Sequence, residues 1–250
     1  MLTGDQGNGH DLDAGSEPPD VEQIASAALD AAKEGLRRAA HDLGLQYTFY
    51  LLTQLVLSAR RDEWQEGLAP FGIRLSPDAT LLDLSAELQG AIDDYVSSHG
   101  HPSDVTEIAQ QAACAAVVAM AAPRAVTLFG SGRDELQAAV RRISTKSGFA
   151  ELSQQFFARF IAHYLNFYLS RATASQMGNG RIQQVGDITA FNDDLYVHCY
   201  QSAKIVRDFS GDWYSKTEFR EGINLGNTSN FMTVALRKLR AELHRQGPKP

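Results

Sequence analysis

Three groups of side chains in this sequence are of types that can do chemistry or hold a partner. The first is Arg159, His163 and Asn166, with Gln155 and Ser170, spaced by three and four residues so that a helix would bring them onto one line. A histidine one turn from an arginine can serve as an acid or base if a distant carboxylate joins them in a groove. The alternative is a solvated polar strip. The second group lies in 208–220, DFSGDWYSKTEFR, where the amphipathic rings of Trp213 and Tyr214 are flanked by Lys216 and Arg220. With those rings read on a short loop, the segment either offers them to a partner, as interface hot spots do, or folds Trp213 back as an anchor between two helices. The third group is basic: Arg237, Lys238, Arg240 and Arg245 near the C-terminus, with Lys204 and Arg207 upstream. Gathered on one surface they would neutralise phosphates; left apart, they complement a helix dipole and keep the surface wet.

Other patterns are incomplete. The stretch 125–136, AVTLFGSGRDEL, sets a β-prone run before a glycine-rich turn and a helix. It resembles the dinucleotide-binding fingerprint, but Glu135 stands where a third glycine should follow Gly130 and Gly132, and would push an acid towards a pyrophosphate. Its LFGS portion also resembles the nucleotidyltransferase family, whose catalysis uses a metal-binding Asp-x-Asp pair shortly downstream. Residues 137–150 contain no acid, so that half of the motif is missing. Asp208, Ser210 and Asp212 begin like a calcium loop, yet Trp213 occupies the turn position that demands glycine and Phe219 the position of the bidentate glutamate. His198 and Cys199 are adjacent, which on a helix points them about 100° apart and is wrong for a nucleophile and its base. His99 and His101 lack further ligands nearby. No cofactor and no metal are expected.

The elements that would position these residues are helices. The centre is 148–171, GFAELSQQFFARFIAHYLNFYLSR, in which Phe149, Phe156, Phe160 and Phe167 recur at helical steps beside a row of Phe157, Ile161, Tyr164 and Tyr168. That apolar arc is wider than a surface helix needs, so neighbours should wrap it on most sides. Before it the pattern predicts a helix ending near Asp42 with Gly44 as the break, a helix over 45–67, and another opened by Ser76, Pro77 and Asp78 and running to about Ser98. An alanine-rich helix over 104–122 follows, capped by Ser103 or Asp104, whose small side chains suit a place tightly between two others. A helix over 133–143 leads into the aromatic one. After the glycines of 177–187 come a helix over 189–209, the SGDWYSK loop, a short helix over 217–224 and a last helix over 229–245. The fold class is all-α, a compact domain of about seven to nine helices around the aromatic-rich one.

Composition sets the frame. Hydrophobic residues make up 44% of the 250, ample for a core without staples, and the two cysteines, Cys114 and Cys199, sit inside apolar helical patterns that suit a reducing cytoplasm. The first 19 residues, rich in glycine and acids, read as a disordered leader without signal-peptide character. The rest, 20–250, reads as one helical domain, open to division into an acidic, alanine-rich 20–123 and an aromatic, basic 124–250. The uncharged runs 43–59 and 108–123 are short for spans and carry glutamines, so no membrane is expected. The formal charge of −7 hides an asymmetry: residues 1–150 hold 21 acids and 11 bases, residues 151–250 hold 9 and 12. Any polyanion should therefore meet the C-terminal part. The leading expectation is a non-enzymatic interaction or structural subunit in a cytoplasmic protein assembly, with a protein partner or self-association. The alternatives are nucleic-acid binding through the basic C-terminal region and an enzyme whose site is assembled around Arg159 and His163.

Overall fold

A computed structural model of the protein describes residues 30, 32, 35–124, 132–174 and 185–246. The leader at 1–19, most of the first expected helix, the LFGS turn and most of the glycine-rich connection lie outside the described residues. Within them the structure is all-α, without a strand.

Helical residues 35–39 precede α1, Leu43–Ser58. The expected break at Gly44 falls one turn earlier. Asp42 caps α1, accepting from the Leu45 amide at 2.8 Å, and its carboxylate also accepts from Ser103 Oγ at 2.7 Å and Thr106 Oγ1 at 3.2 Å. This ties the start of α1 to the start of α4, Asp104–Ala121, whose own cap is Ser103. Gly44 lies inside α1 at that crossing, where a Cβ would stand 2.1 Å from Thr106 Oγ1. The glycine permits the close approach; it does not end a helix.

The expected helix over 45–67 is also divided. After α1, residues 59–63 turn and α2, Trp64–Leu68, folds back, followed by a 3₁₀ turn at Ala69–Phe71 closed by Gly72 at φ 78°. The next helix, α3, is Leu81–His99, opened by Thr80 and Asp83 in a reciprocal capping box. Ser76, Pro77 and Asp78 form a turn ahead of it, with Ser76 Oγ donating to Asp78 at 2.6 Å. The alanine-rich α4 packs against α1, α3 and α6, and Ala109, Ala112, Ala113 and Ala116 are fully buried there.

The remaining helices are α5, Arg133–Ile143; α6, Lys146–Ala174; α7, Val185–Ser202; α8, Lys204–Arg220; and α9, Leu225–Gln246. The aromatic helix α6 is the hub, in contact with α4, α5, α7 and α8, and Phe149, Phe156, Phe157 and Phe160 are wholly buried along it. The ring at the centre comes from α1. Phe49 meets Phe149, Phe156, Phe157, Trp213 and Phe231 at centroid separations from 5.2 to 6.4 Å, joining α1, α6, α8 and α9 in one aromatic core. Each such pair adds roughly 0.5–1.5 kcal/mol beyond the burial of its area. At the start of α9 the Asn224 and Asn227 side chains each accept the other's amide at 3.0 Å, so the last helix begins a few residues earlier than the 229 expected. No described helix is long and apolar enough to cross a membrane.

Candidate functional site

The segment 208–220 is the body of α8, which corrects the expectation of a loop followed by a short helix. The apparent breaker is Gly211, and a Cβ there would lie 2.7 Å from the Lys146 carbonyl oxygen. Here α8 crosses the start of α6 backbone to backbone, and only glycine fits. The helix runs on through the crossing, and that decides where each of its side chains points.

Its inner face holds Val206, Ser210, Tyr214 and Thr217, all buried. Tyr214 stacks on Phe149 at 4.1 Å, accepts from Arg60 at 2.9 Å and donates to the Ser144 carbonyl at 3.3 Å. Burial pushes its phenol far above the ordinary value, against the pull of the Arg60 guanidinium. Trp213 is half-buried and stacks on Phe231 at 4.2 Å. Of the two readings of Trp213, the anchor between helices is the one this packing matches; both rings serve the α8–α9 and α6–α8 seams.

The outer face is different. Lys216 and Arg220 are exposed, and Asp212 is shared by Lys216 at 3.6 Å and Lys146, whose hydrogen bond and charge hold its carboxyl below the usual range. Between the two cations stands Phe219, 90% exposed, the one fully exposed aromatic side chain among those described. Reading 210–216 as a loop and 217–224 as a separate short helix cuts Phe219 off from the helical phase of Ser210 and Tyr214. On a helix, Phe219 falls about 160° from the buried Thr217, facing away from the core. The hydrophobic period of the segment is the signal that could have found it.

The basic residues expected to meet a polyanion lie on α8 and α9. Lys204 and Arg207 are exposed on α8, with Arg207 3.5 Å from Gln154 Oε1. On α9, Arg237 is exposed, Lys238 lies over the Phe209 ring at 4.6 Å, Arg240 is half-buried and Arg245 is held by Glu242 at 2.5 Å. A second group of cations arises where the turn after α1 meets the end of α5 and the start of α6. Arg60 donates to the Ser144 carbonyl and Arg141 donates to the Arg60 carbonyl at 2.6 Å; Arg61 and Arg142, next to them in sequence, are exposed, while Arg141 also pairs with Asp62 at 3.5 Å and the exposed Lys146 with Asp212. All five belong to the half of the chain whose summed charge is acidic.

The polar strip of α6 faces α7. Arg159 donates to Tyr196 Oη at 2.8 Å and to the Gln155 side chain, while Tyr196 donates to Gln155 Oε1 at 3.1 Å. The described partners of Arg159 are thus neutral groups that staple two helices. His163 is exposed, and partial burial followed by the Arg159 charge holds its pKa below 6.5; Asn166 is half-buried. Burial pushes the Cys114 thiol to about 11 and the Cys199 thiol to about 12, so neither is a thiolate near neutral pH. Where α8 crosses the start of α6, a shallow open depression is lined by Thr145, Lys146, Ser147, Arg207, Asp208 and Asp212, a set of mixed charge. Comparison with models of known families, with curated proteins and with solved structures found no match to this chain.

Proposed function

We propose that the protein is a non-enzymatic interaction or structural subunit of a cytoplasmic protein assembly, and that it docks through the outward face of α8. The observation that carries this reading is Phe219. Burying a phenylalanine side chain is worth about 1.5–3 kcal/mol, and this chain takes that gain at its other described rings. The exposed ring sits on the last turn of a helix whose inner face is locked by Tyr214 and Trp213, so it is held in place before any partner arrives. Lys216, Glu218, Arg220 and Glu221 surround it, all exposed, supplying the polar rim that borders an apolar anchor in protein interfaces.

Cross-linking with mass spectrometry on the full chain, alone and in extract of its native host, tests the proposal. Cross-links from Lys216 to a defined protein surface are expected, and they should vanish in Phe219→Ser while the fold is retained. Identical cross-links in the two proteins, or none beyond those within one chain, would remove it.

A second reading, nucleic-acid binding, is favoured by the cluster of Arg60, Arg61, Arg141, Arg142 and Lys146. It expects retention on single- or double-stranded nucleic acid that falls steeply with salt. Charge reversal at Arg61 and Arg142 should weaken retention more than reversal at Arg237 and Arg240. Equal or absent effects of the two pairs would count against this location.

A further inference from the structure

We infer that the occupant of the α8 face is a second copy of this chain, paired antiparallel about a twofold axis near position 214; this rests on the reading of that face as a docking surface. Asp208, Asp212, Lys216 and Arg220 follow one another at four-residue steps and so form one ridge along α8. Their charges run negative, negative, positive, positive. Turned end for end against itself, the ridge sets Asp208 opposite Arg220 and Asp212 opposite Lys216, and the symmetry makes each pair twice. Ridges of this spacing are those that interlock in the commonest helix packing, at a crossing angle of about −50°.

The neighbouring ridge is Gly211, Ser215 and Phe219. Gly211 on this ridge is covered by α6, so the room beside the charges is at the exposed Ser215, and Phe219 borders it on each copy. The charges are free to exchange partners: Asp208, Lys216 and Arg220 are exposed, and the Asp212 side chain keeps 47% of its surface. The pairs Asp212 makes with Lys146 and Lys216 within the chain are surface pairs, which hold weakly. The helix dipole does not explain the pattern. Its influence is confined to the terminal turns, so it accounts for Arg220 in the last turn of α8 but not for Asp208, Asp212 or Lys216, and it asks nothing of an exposed phenylalanine.

The test uses the full chain, with sedimentation equilibrium and light scattering over a concentration series, and circular dichroism as the control for folding. The parent should dimerise. Asp208→Lys with Asp212→Lys makes the ridge wholly basic, and Lys216→Glu with Arg220→Glu makes it wholly acidic. Each should dissociate about tenfold more readily or worse, because like charges then meet across the axis. Mixed one to one, the two variants should form a heterodimer about as tight as the parent, weakened by salt. The single exchanges Asp208→Arg and Arg220→Asp leave the Lys146–Asp212 contact untouched and should show the same rescue if either double variant fails to fold. A monomeric parent, a dimer indifferent to both reversals, or a mixture that stays monomeric would overturn the inference. If the parent is monomeric but Phe219→Ser still abolishes cross-links to another protein, the docking face stands and only its occupant is wrong. If Phe219→Ser changes nothing, the docking face falls as well.

Discussion

Phe49 and Phe219 are the same side chain placed at opposite ends of what this fold does with aromatics. Phe49 lies at the point where α1, α6, α8 and α9 converge and is 1% exposed; Phe219 lies on α8, one helix of that same convergence, and is 90% exposed. The difference comes from helical phase. Ser210, Tyr214 and Thr217 take the inner side of α8, and Ser215 and Phe219, about half a turn away, are exposed. One element thus carries both the packing that fixes it and the face left for contact. Stability and function are on this account separable along α8, and substitutions can show whether they are.

The largest effect is expected at the buried end. Phe49→Ala leaves five neighbouring rings facing a void and should cost about 3–5 kcal/mol in urea unfolding. A loss under about 1 kcal/mol would mean that the cluster is loosely packed and that the inner and outer faces differ less than described.

Two glycines sharpen the comparison next, with opposite signs. Gly211→Ala drives a methyl to 2.7 Å from the Lys146 carbonyl, so backbone must give way. Overpacking of roughly 1–3 kcal/mol should exceed the gain of about 1 kcal/mol in helix propensity, leaving a net loss. At Gly90, on the exposed side of α3, an added methyl would meet nothing within 4 Å, and Gly90→Ala should stabilise by about 0.5–1 kcal/mol. Chemical denaturation of both variants checks the pair. If Gly211→Ala also stabilised, the helices would not be crossing backbone to backbone there.

The same glycines explain how far the fold is legible in the chain. The aromatic period of α6 can be read because a helix buried around most of its circumference repeats large apolar residues at nearly every phase. Likewise the helix expected over 133–143 is α5, Arg133–Ile143, with acids in its first turn and arginines in its last. Gly44 and Gly211 mislead because a glycine that ends a helix and a glycine that lets two helices touch look identical in one dimension. With Gly211 taken as a break, Trp213 and Tyr214 fall in a loop and Phe219 belongs to a new short helix whose phase is unrelated to theirs. The cationic junction is illegible for another reason. Arg60 and Arg141 stand 81 positions apart and meet only through tertiary hydrogen bonding, in the half of the chain whose summed charge is acidic.

At the exposed end, Phe219→Ser should shift unfolding stability by no more than about 0.5 kcal/mol, since no packing is lost, while abolishing association. Stability measured beside sedimentation gives both readings on one sample. A loss comparable to that at Phe49 would mean that the ring is covered in the folded chain, and the contrast between the two phenylalanines would collapse.

The smallest effect concerns His163, the exposed member of the polar strip of α6. Its pKa is held below 6.5 by partial burial and by the Arg159 charge one turn away, so the unfolded chain takes up the proton first as pH falls. The stability contributed by keeping this ring neutral is therefore intact above about pH 6.5 and declines below it, until the folded state is protonated too. Thermal unfolding at stepped pH should show that decline, and His163→Gln should flatten it slightly, the effect being small because the ring is exposed and solvent screens the Arg159 charge. A direct nuclear magnetic resonance titration is the stricter measurement. A pKa at or above 6.5 in the folded chain would contradict the placement of His163 beside Arg159, whereas a depressed value that rises in Arg159→Gln would show that the guanidinium which staples α6 to α7 through Gln155 and Tyr196 also sets the charge of the polar strip.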